Sequence, residues 1–125
     1  MVVGWIMHIS PLGIAAYAGV PLTHRRHASV VTFVTAHDVE RIDWAKFGGS
    51  ETLVIFMGLT NPARIAAEVI AHGRPPETRA IAVRWGTRPD QEVLVGTVAS
   101  LPRLVEERGL KPPATNIVGE VVALR

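Results

Sequence analysis

Histidines close together in one short segment could bind a metal ion. His24 and His27 are three residues apart, so one helical turn would present both, with His8 or His37 as a third ligand. The two residues between them are arginines, which would repel a cation, and the cluster contains no acidic residue. The balance predicts no metal site here.

The same segment could instead bind an acidic group. Thr23, His24 and Arg25 stand together with a second arginine behind them. Arginine donates two parallel hydrogen bonds to a carboxylate, so a basic turn beside a pocket would suit a substrate rich in carboxylates. From the spacing alone, a charged turn that faces solvent is the favoured interpretation.

Several other kinds of chemistry have no signature in the sequence. It contains no GxGxxG, GxxxxGK[ST], GxSxG or HExxH pattern, and it has no cysteine, which excludes a disulfide, a thiolate nucleophile and a cysteine-based zinc site. Glu106 and Glu107 are neighbours on a predicted helix and therefore point apart. A paired acid and base is not expected from them.

Composition narrows the class of protein. The chain has 125 residues, 48% of them hydrophobic, and a formal net charge of only +2. Scattered charges and an aromatic content of 6% argue against a nucleic-acid partner. Apolar runs such as Leu53 to Met57 are far shorter than the roughly 20 residues of a membrane span, and the start lacks a basic signal region. We therefore expect a cytoplasmic protein with no membrane or nucleic-acid partner.

The elements that must position these residues alternate between strands and helices. An asparagine followed by proline at Asn61 and Pro62 begins one helix, and Ser10 with Pro11 begins another. The continuous apolar run at Thr52 to Phe56 suits a central strand covered on both faces. Predicted helices are Ser10 to Ala18, Asn61 to His72 and Leu101 to Arg108; predicted strands are Ser29 to Thr35, Thr52 to Phe56, Arg79 to Arg84, Gln91 to Val98 and Thr115 to Leu124.

Shorter features complete the pattern. Ala36 to Ile42 is predicted to be a loop, and Asp43 is predicted to cap a single turn over the next four residues. The final strand is predicted to bend at Gly119. The fold class is therefore α/β, a single domain with a mixed sheet of about five strands and helices on its faces.

Several segments in order resemble the tetrapyrrole methylases that act on uroporphyrinogen III. Residues 16–25 read Ala-Tyr-Ala-Gly-Val-Pro-Leu-Thr-His-Arg and match a segment of that family without a gap. Thr52 to Leu59 matches its Thr-Leu-Val-(Ile/Phe)-(Phe/Tyr)-Met-Gly-Leu, and Ile117 to Arg125 matches its ending. Trp85, Gly86 and Thr87 match its Asn-Gly-Thr in part. The similarity covers residues 9–125 and implies the fold of the C-terminal half of a uroporphyrinogen-III C-methyltransferase.

The resemblance implies a set of cofactor contacts. In the family, S-adenosylmethionine (SAM) binds in a cleft between two α/β domains, and the methionine of the Met-Gly motif contacts its adenosine. Here that residue is Met57, with Gly58 beside it. Gly86 and Thr87 match the second cofactor motif, where the absent Cβ lets the backbone approach the ligand, and Ser10 is the nearest match to a third contact. Taken singly, each residue also has a plain structural interpretation, as a core methionine, a turn glycine or a helix cap.

The resemblance also implies the substrate and the partners. Arg25, with His24 and Thr23, is the expected contact to tetrapyrrole carboxylates. The predicted function is methyl transfer from SAM to uroporphyrinogen III, giving S-adenosylhomocysteine, with this chain as one wall of the cleft. The family's N-terminal domain with its Gly-x-Gly-x-Gly-Asp loop is absent, residues 1–8 form an atypical start, and Trp85 replaces an asparagine. We expect a homodimer or pairing with the missing domain; the alternative is a non-catalytic dimerising relic or interaction module of the same fold.

Overall fold

The computed structural model describes residues 30–36, 38–46, 51–56, 61–84, 92–111 and 114–124. Within them lie five strands and two α-helices, joined by short 3₁₀ turns. In chain order they are β1 Val31–Thr35, β2 Thr52–Phe56, α1 Pro62–Ala71, β3 Arg79–Arg84, β4 Glu92–Thr97, α2 Leu101–Arg108 and β5 Ala114–Gly119. The predicted helix from Ser10 to Ala18 lies outside the described residues.

The five strands form one mixed sheet in the order β1-β2-β5-β3-β4. β1 is parallel to β2, whereas β5 is antiparallel to both of its neighbours, β2 and β3. β1, β2 and β3 therefore run in the same direction, and β4 pairs antiparallel with β3 as a hairpin. The predicted fold class is confirmed.

Two helices cover one face of the sheet. α1 buries Ile65 and Val69, and α2 buries Leu101 and Val105. These side chains pack on the sheet residues that alternate toward that face, which form the larger part of the core: Val34, Leu53, Ile55, Ala80, Ala82, Leu94 and Val118. Full burial of one aliphatic side chain contributes about 1.5–3 kcal/mol, so this layer is the main source of stability in the described part of the chain.

The opposite face is covered by a 3₁₀ segment, Glu120–Leu124, in which Val121 and Val122 are buried. The prediction of a strand running from Thr115 to Leu124 is therefore wrong in its second half. Gly119 has φ +148, and a Cβ there would lie 2.5 Å from the carbonyl oxygen of Glu51. The chain leaves the ladder at this glycine and turns over the sheet.

The helix ends follow the sequence signals. The Asn61 side chain accepts a hydrogen bond from the Arg64 backbone N–H at 3.3 Å, with Pro62 in the first helical position. Gly109, with φ +63, ends α2 in the left-handed region that favours glycine. Both predicted helices within the described residues are confirmed. None of the helices described is long and apolar enough to cross a membrane.

The segment between β1 and β2 contains two 3₁₀ turns. The predicted loop holds one of them, Val39–Arg41, because the Asp38 carboxylate accepts the Glu40 N–H at 3.3 Å. The second, Trp44–Lys46, is the single turn predicted after Asp43, whose carbonyl accepts the Lys46 N–H at 3.2 Å. The buried residue of each turn, Val39 and Trp44, belongs to the core on the helix-covered face.

Candidate functional site

The carboxyl ends of three strands lie at one edge of the sheet. β1, β2 and β3 run in the same direction and end there at Thr35, Phe56 and Arg84. β5 begins at this edge, and its Thr115 pairs with both Phe56 and Val83. The ends of β2 and β3 therefore have one strand between them and lie about 10 Å apart at the usual strand spacing. Ligands of open α/β sheets bind outside such carboxyl ends.

The two segments predicted to bind the cofactor continue from these strand ends. Met57 and Gly58 follow directly on Phe56, and Gly86 is the second residue after the end of β3. The structure thus brings together the two strand ends that lead into the two motifs. The eight predicted site residues themselves lie outside the described residues and stay predictions: Ser10, Thr23, His24, Arg25, Met57, Gly58, Gly86 and Thr87. The histidines considered for a metal, His8, His24, His27 and His37, lie outside them as well.

An ion pair stands at this edge that sequence reasoning missed. Arg84 is the last residue of β3 and Glu92 the first of β4, and the two are direct partners in the ladder. The Arg84 guanidinium nitrogen Nη1 lies 2.9 Å from the Glu92 carboxylate oxygen Oε1. The signal was present in the sequence, since opposite charges flank the Gly86-Thr87 segment. It could be interpreted only once the hairpin register was known.

A buried asparagine lies one position inside the same edge. Asn116 on β5 pairs with Ile55 of β2 and Ala82 of β3. The residue is 5% exposed, and its side-chain Oδ1 has no hydrogen-bond partner among the residues that the structure describes. It borders a cavity of about 20 Å³ between the sheet and the two helices, lined otherwise by apolar residues such as Val69 and Val105. Sequence reasoning missed this residue too, although an amide inside a β-branched run is a visible irregularity.

A charged network ties α1 to the 3₁₀ turn Val39–Arg41. The Arg64 guanidinium lies 2.7 Å from Glu40 and 3.0 Å from Glu68. The hydrogen bonds that Arg64 donates to these two carboxylates, first to Glu68 and then to Glu40, raise the pKa of Arg64. His72 lies next to Glu68, with its Nδ1 2.8 Å from the Glu68 carbonyl oxygen. The groups are exposed and already paired with one another, so the network holds two elements together.

The edge opposite the candidate site carries a buried arginine. Arg74 precedes β3 and is 7% exposed. Burial lowers the pKa of Arg74, and the charge of Glu120 acts in the opposite direction. Across the residues that the structure describes, no group of three or more histidine, cysteine, aspartate or glutamate side chains is arranged to hold a metal ion.

Comparison with known proteins decides the family. A sequence profile of the tetrapyrrole (corrin/porphyrin) methylases matches residues 10–102. The chain belongs to the tetrapyrrole methylase family. The matched range contains every position predicted above to contact cofactor or substrate, and it contains β1 to β4 with α1. The resemblance drawn from the sequence segments is confirmed.

Two curated relatives show how much of a whole methylase the chain represents. The S-adenosyl-L-methionine-dependent uroporphyrinogen III methyltransferase of Methanosarcina barkeri is 46% identical over 123 residues, which cover 92% of this chain and 48% of that protein. The siroheme synthase of Nitrosomonas eutropha is 45% identical over 117 residues, which cover 90% of this chain and 25% of that protein. The chain therefore spans half or less of the relatives it matches.

Solved structures share the fold. A uroporphyrin-III C-methyltransferase from Thermus thermophilus superimposes with a TM-score of 0.79 at 33% identity, covering 92% of this chain and 49% of that one. The form of that enzyme complexed with S-adenosyl homocysteine gives a TM-score of 0.75 at 27% identity, covering 90% of this chain and 51% of that one. A cobalt precorrin-4 methyltransferase, 21% identical with a TM-score of 0.78, shows the fold alone.

Proposed function

We propose that this tetrapyrrole methylase chain is one half of a SAM-dependent uroporphyrinogen-III C-methyltransferase and supplies one wall of its cofactor and substrate cleft. One observation carries the proposal: β2 and β3 are parallel and end at a common edge, with β5 between them. The Met57 and Gly86 segments continue from those two ends. The likeness to the Methanosarcina barkeri methyltransferase over 92% of the chain supports it.

The described strand ends fit the adenosine part of such a cofactor. Phe56 is half-buried and Thr115 is buried between the two ends, so neither of these described residues brings a charge to the edge. Arg84, the charged side chain that ends β3, is neutralised by Glu92 at 2.9 Å. A flat, largely uncharged ligand is therefore accommodated next to the sheet without burial of an uncompensated charge.

The proposed roles follow from the residue types. When bound, SAM supplies an electrophilic methyl group on a sulfonium sulfur whose positive charge is lost on transfer. Met57 gives an adaptable apolar contact, and Gly86 leaves room for the backbone to approach the ligand. Arg25 and His24 hold carboxylates of the tetrapyrrole. The chain contributes orientation and exclusion of water, which can supply several kcal/mol of barrier reduction in a displacement reaction.

We propose that the opposite wall of the cleft comes from the part of the methylase that this chain does not contain, or that two copies associate. The coverage of 48% of the archaeal relative supports a missing half. Apolar side chains that remain exposed, Phe33 at 48% and Val95 at 45%, support an interface. We also place the protein in the cytoplasm, which the absence of cysteine fits.

Calorimetric titration of the purified chain with S-adenosylhomocysteine tests the cofactor half-site. We expect a Kd tighter than about 100 µM, or roughly −5.5 kcal/mol. Gly86→Ala should weaken binding at least about tenfold by placing a methyl group where the backbone meets the ligand. Gly73→Ala is the control for backbone strain: Gly73 follows α1 at the opposite edge and has φ +105, so an alanine there should lower stability without changing the affinity, although its Cβ meets nothing within 4 Å. No detectable heat from a well-folded wild-type chain would contradict the proposal.

The alternative is a non-catalytic module that keeps the fold and pairs through its apolar surfaces. The exposed Phe33 and Val95 favour it as much as they favour a two-part enzyme. Light scattering combined with the same titration separates the two. A dimer that binds no S-adenosylhomocysteine supports the module, and a chain that binds it supports the methyltransferase.

A further inference from the structure

The ion pair at the base of the β3–β4 hairpin has a special position relative to the proposed site. Arg84 and Glu92 are direct ladder partners, and their charged groups lie 2.9 Å apart. The seven residues between them, 85–91, include Gly86 and Thr87. The pair therefore brackets the segment on which the second cofactor motif lies.

Arg84 is less exposed to water than the other arginines that form ion pairs among the described residues, whereas its partner Glu92 is 48% exposed. The Arg84 side chain is 17% exposed, whereas Arg41, Arg64 and Arg103 in their ion pairs are 42% exposed or more. Exposed pairs contribute little because water screens them. Removing Glu92 would leave a guanidinium that water solvates poorly, so the pair holds its geometry more firmly than an exposed pair does.

The arginine of the pair lies on a strand that has neighbours on both sides. Arg84 lies between its ladder partners Glu92 on β4 and Ala114 on β5. On the helix-covered face, the residues before it in β3 are the small, buried Ala80 and Ala82. A long charged side chain appears at the edge, where the chain leaves the sheet. The attraction between Arg84 and Glu92 thus restrains the direction of the backbone where β3 ends and where β4 begins.

We propose that the Arg84–Glu92 ion pair is a positioning element of the cofactor site, fixing the two backbone exits that carry Gly86 and Thr87. Neither side chain contacts the ligand in this proposal. It rests on the proposed function only for the identity of the ligand; the positioning itself is a property of the free chain. Arg84 and Glu92 are thus positioning residues.

The test compares four variants of the full chain in titrations with S-adenosylhomocysteine well below their thermal midpoints. Arg84→Met and Glu92→Gln should each bind about fivefold more weakly, which corresponds to about 1 kcal/mol. The exchange Arg84→Glu with Glu92→Arg should return the affinity to within about twofold of wild type. Arg103→Met, which breaks an exposed pair on α2, is the control and should bind as wild type does.

A second readout separates this inference from the proposed function. In ¹⁵N correlation spectra of the ligand-free chain, Arg84→Met should shift the amide signals of Gly86 and Thr87, and the exchanged pair should restore them. If single variants bind with wild-type affinity, or if the shifts stay confined to the ladder neighbours of Arg84, the positioning role is wrong. If the wild-type chain binds no ligand, the proposed function fails and the amide signals alone decide the role of the pair.

Discussion

Replacing Asn116 by leucine should stabilise the protein. The asparagine lies on the central strand β5 among apolar side chains, and within the described part of the chain its Oδ1 has no hydrogen-bond partner. Asn116→Leu keeps the number and branching of the side-chain heavy atoms and removes the buried amide. It also offers apolar atoms to the adjoining cavity of about 20 Å³.

The magnitude follows from the desolvation of that amide. A buried polar group without a partner costs about 1–3 kcal/mol, and this cost disappears in the variant. A change of side-chain shape in a packed layer costs less than about 1.5 kcal/mol. The net gain should therefore be about 1–2 kcal/mol, which for a chain of this size raises Tm by roughly 3–8 °C.

Urea denaturation followed by circular dichroism measures the gain, with unchanged m-value as a check on two-state behaviour. Asn116→Asp is the comparison variant and should destabilise the protein. Burial raises the pKa of a carboxyl above its unfolded value near 3.9, so the charged form is disfavoured in the folded state. Its stability penalty should be full at pH values above the raised folded pKa and should vanish as the pH falls below the unfolded value.

A leucine variant less stable than wild type would refute the reasoning. It would mean that the amide is hydrogen bonded in solution, for instance to a water in the cavity, which is large enough for one. If the leucine variant is more stable but the stability of the aspartate variant does not change with pH, position 116 lies closer to solvent than described.

Three further predictions concern the fold and the first motif. Gly119→Ala should cost more than about 3 kcal/mol of stability or prevent folding, since at φ +148 its Cβ would lie 2.5 Å from the Glu51 carbonyl oxygen. Gly109→Ala, at φ +63 with nothing within 4 Å of the added Cβ, should cost only about 1–2 kcal/mol. Equal urea midpoints for the two variants would contradict this prediction. Ile65→Ala should lower the free energy of unfolding by about 2–4 kcal/mol, because Ile65 on α1 is only 4% exposed; a loss below about 1 kcal/mol would show that the layer refills the space. Met57→Ala should weaken S-adenosylhomocysteine binding about fivefold without a comparable fall in Tm, as titration and thermal melting together would show.

Local patterns in the sequence were sufficient for most elements. The Thr52 to Phe56 run reads as a covered strand because it has no polar interruption, and it lies between β1 and β5. The helix after Asn61 was predictable because a cap and a proline act through neighbouring backbone groups. The final strand was predicted too long because side-chain pattern alone does not reveal the close approach of Gly119 to Glu51.

The site was less predictable because its geometry depends on pairings between distant segments. Nothing local to Ala114–Gly119 indicates that β5 enters between β2 and β3, and this insertion sets the separation of the two strand ends. Arg84 and Glu92 become partners only through the hairpin register. The family segments located the expected contacts, such as Met57, in the sequence, and the described residues locate the strand ends that lead to them.

The central place of β5 has a consequence for biosynthesis. β5 is the last of the five strands along the chain, yet it joins the β1–β2 pair to the β3–β4 hairpin. A ribosome completes Phe56 about 60 residues before Gly119, which at 5–20 residues per second is roughly 3–12 s. In the last part of that interval, once Thr97 is complete, the nascent chain carries two partial sheets, each with an open apolar edge that its own later residues must close. Synthesis of this protein therefore includes a period in which chaperone protection matters most, and it ends when β5 emerges.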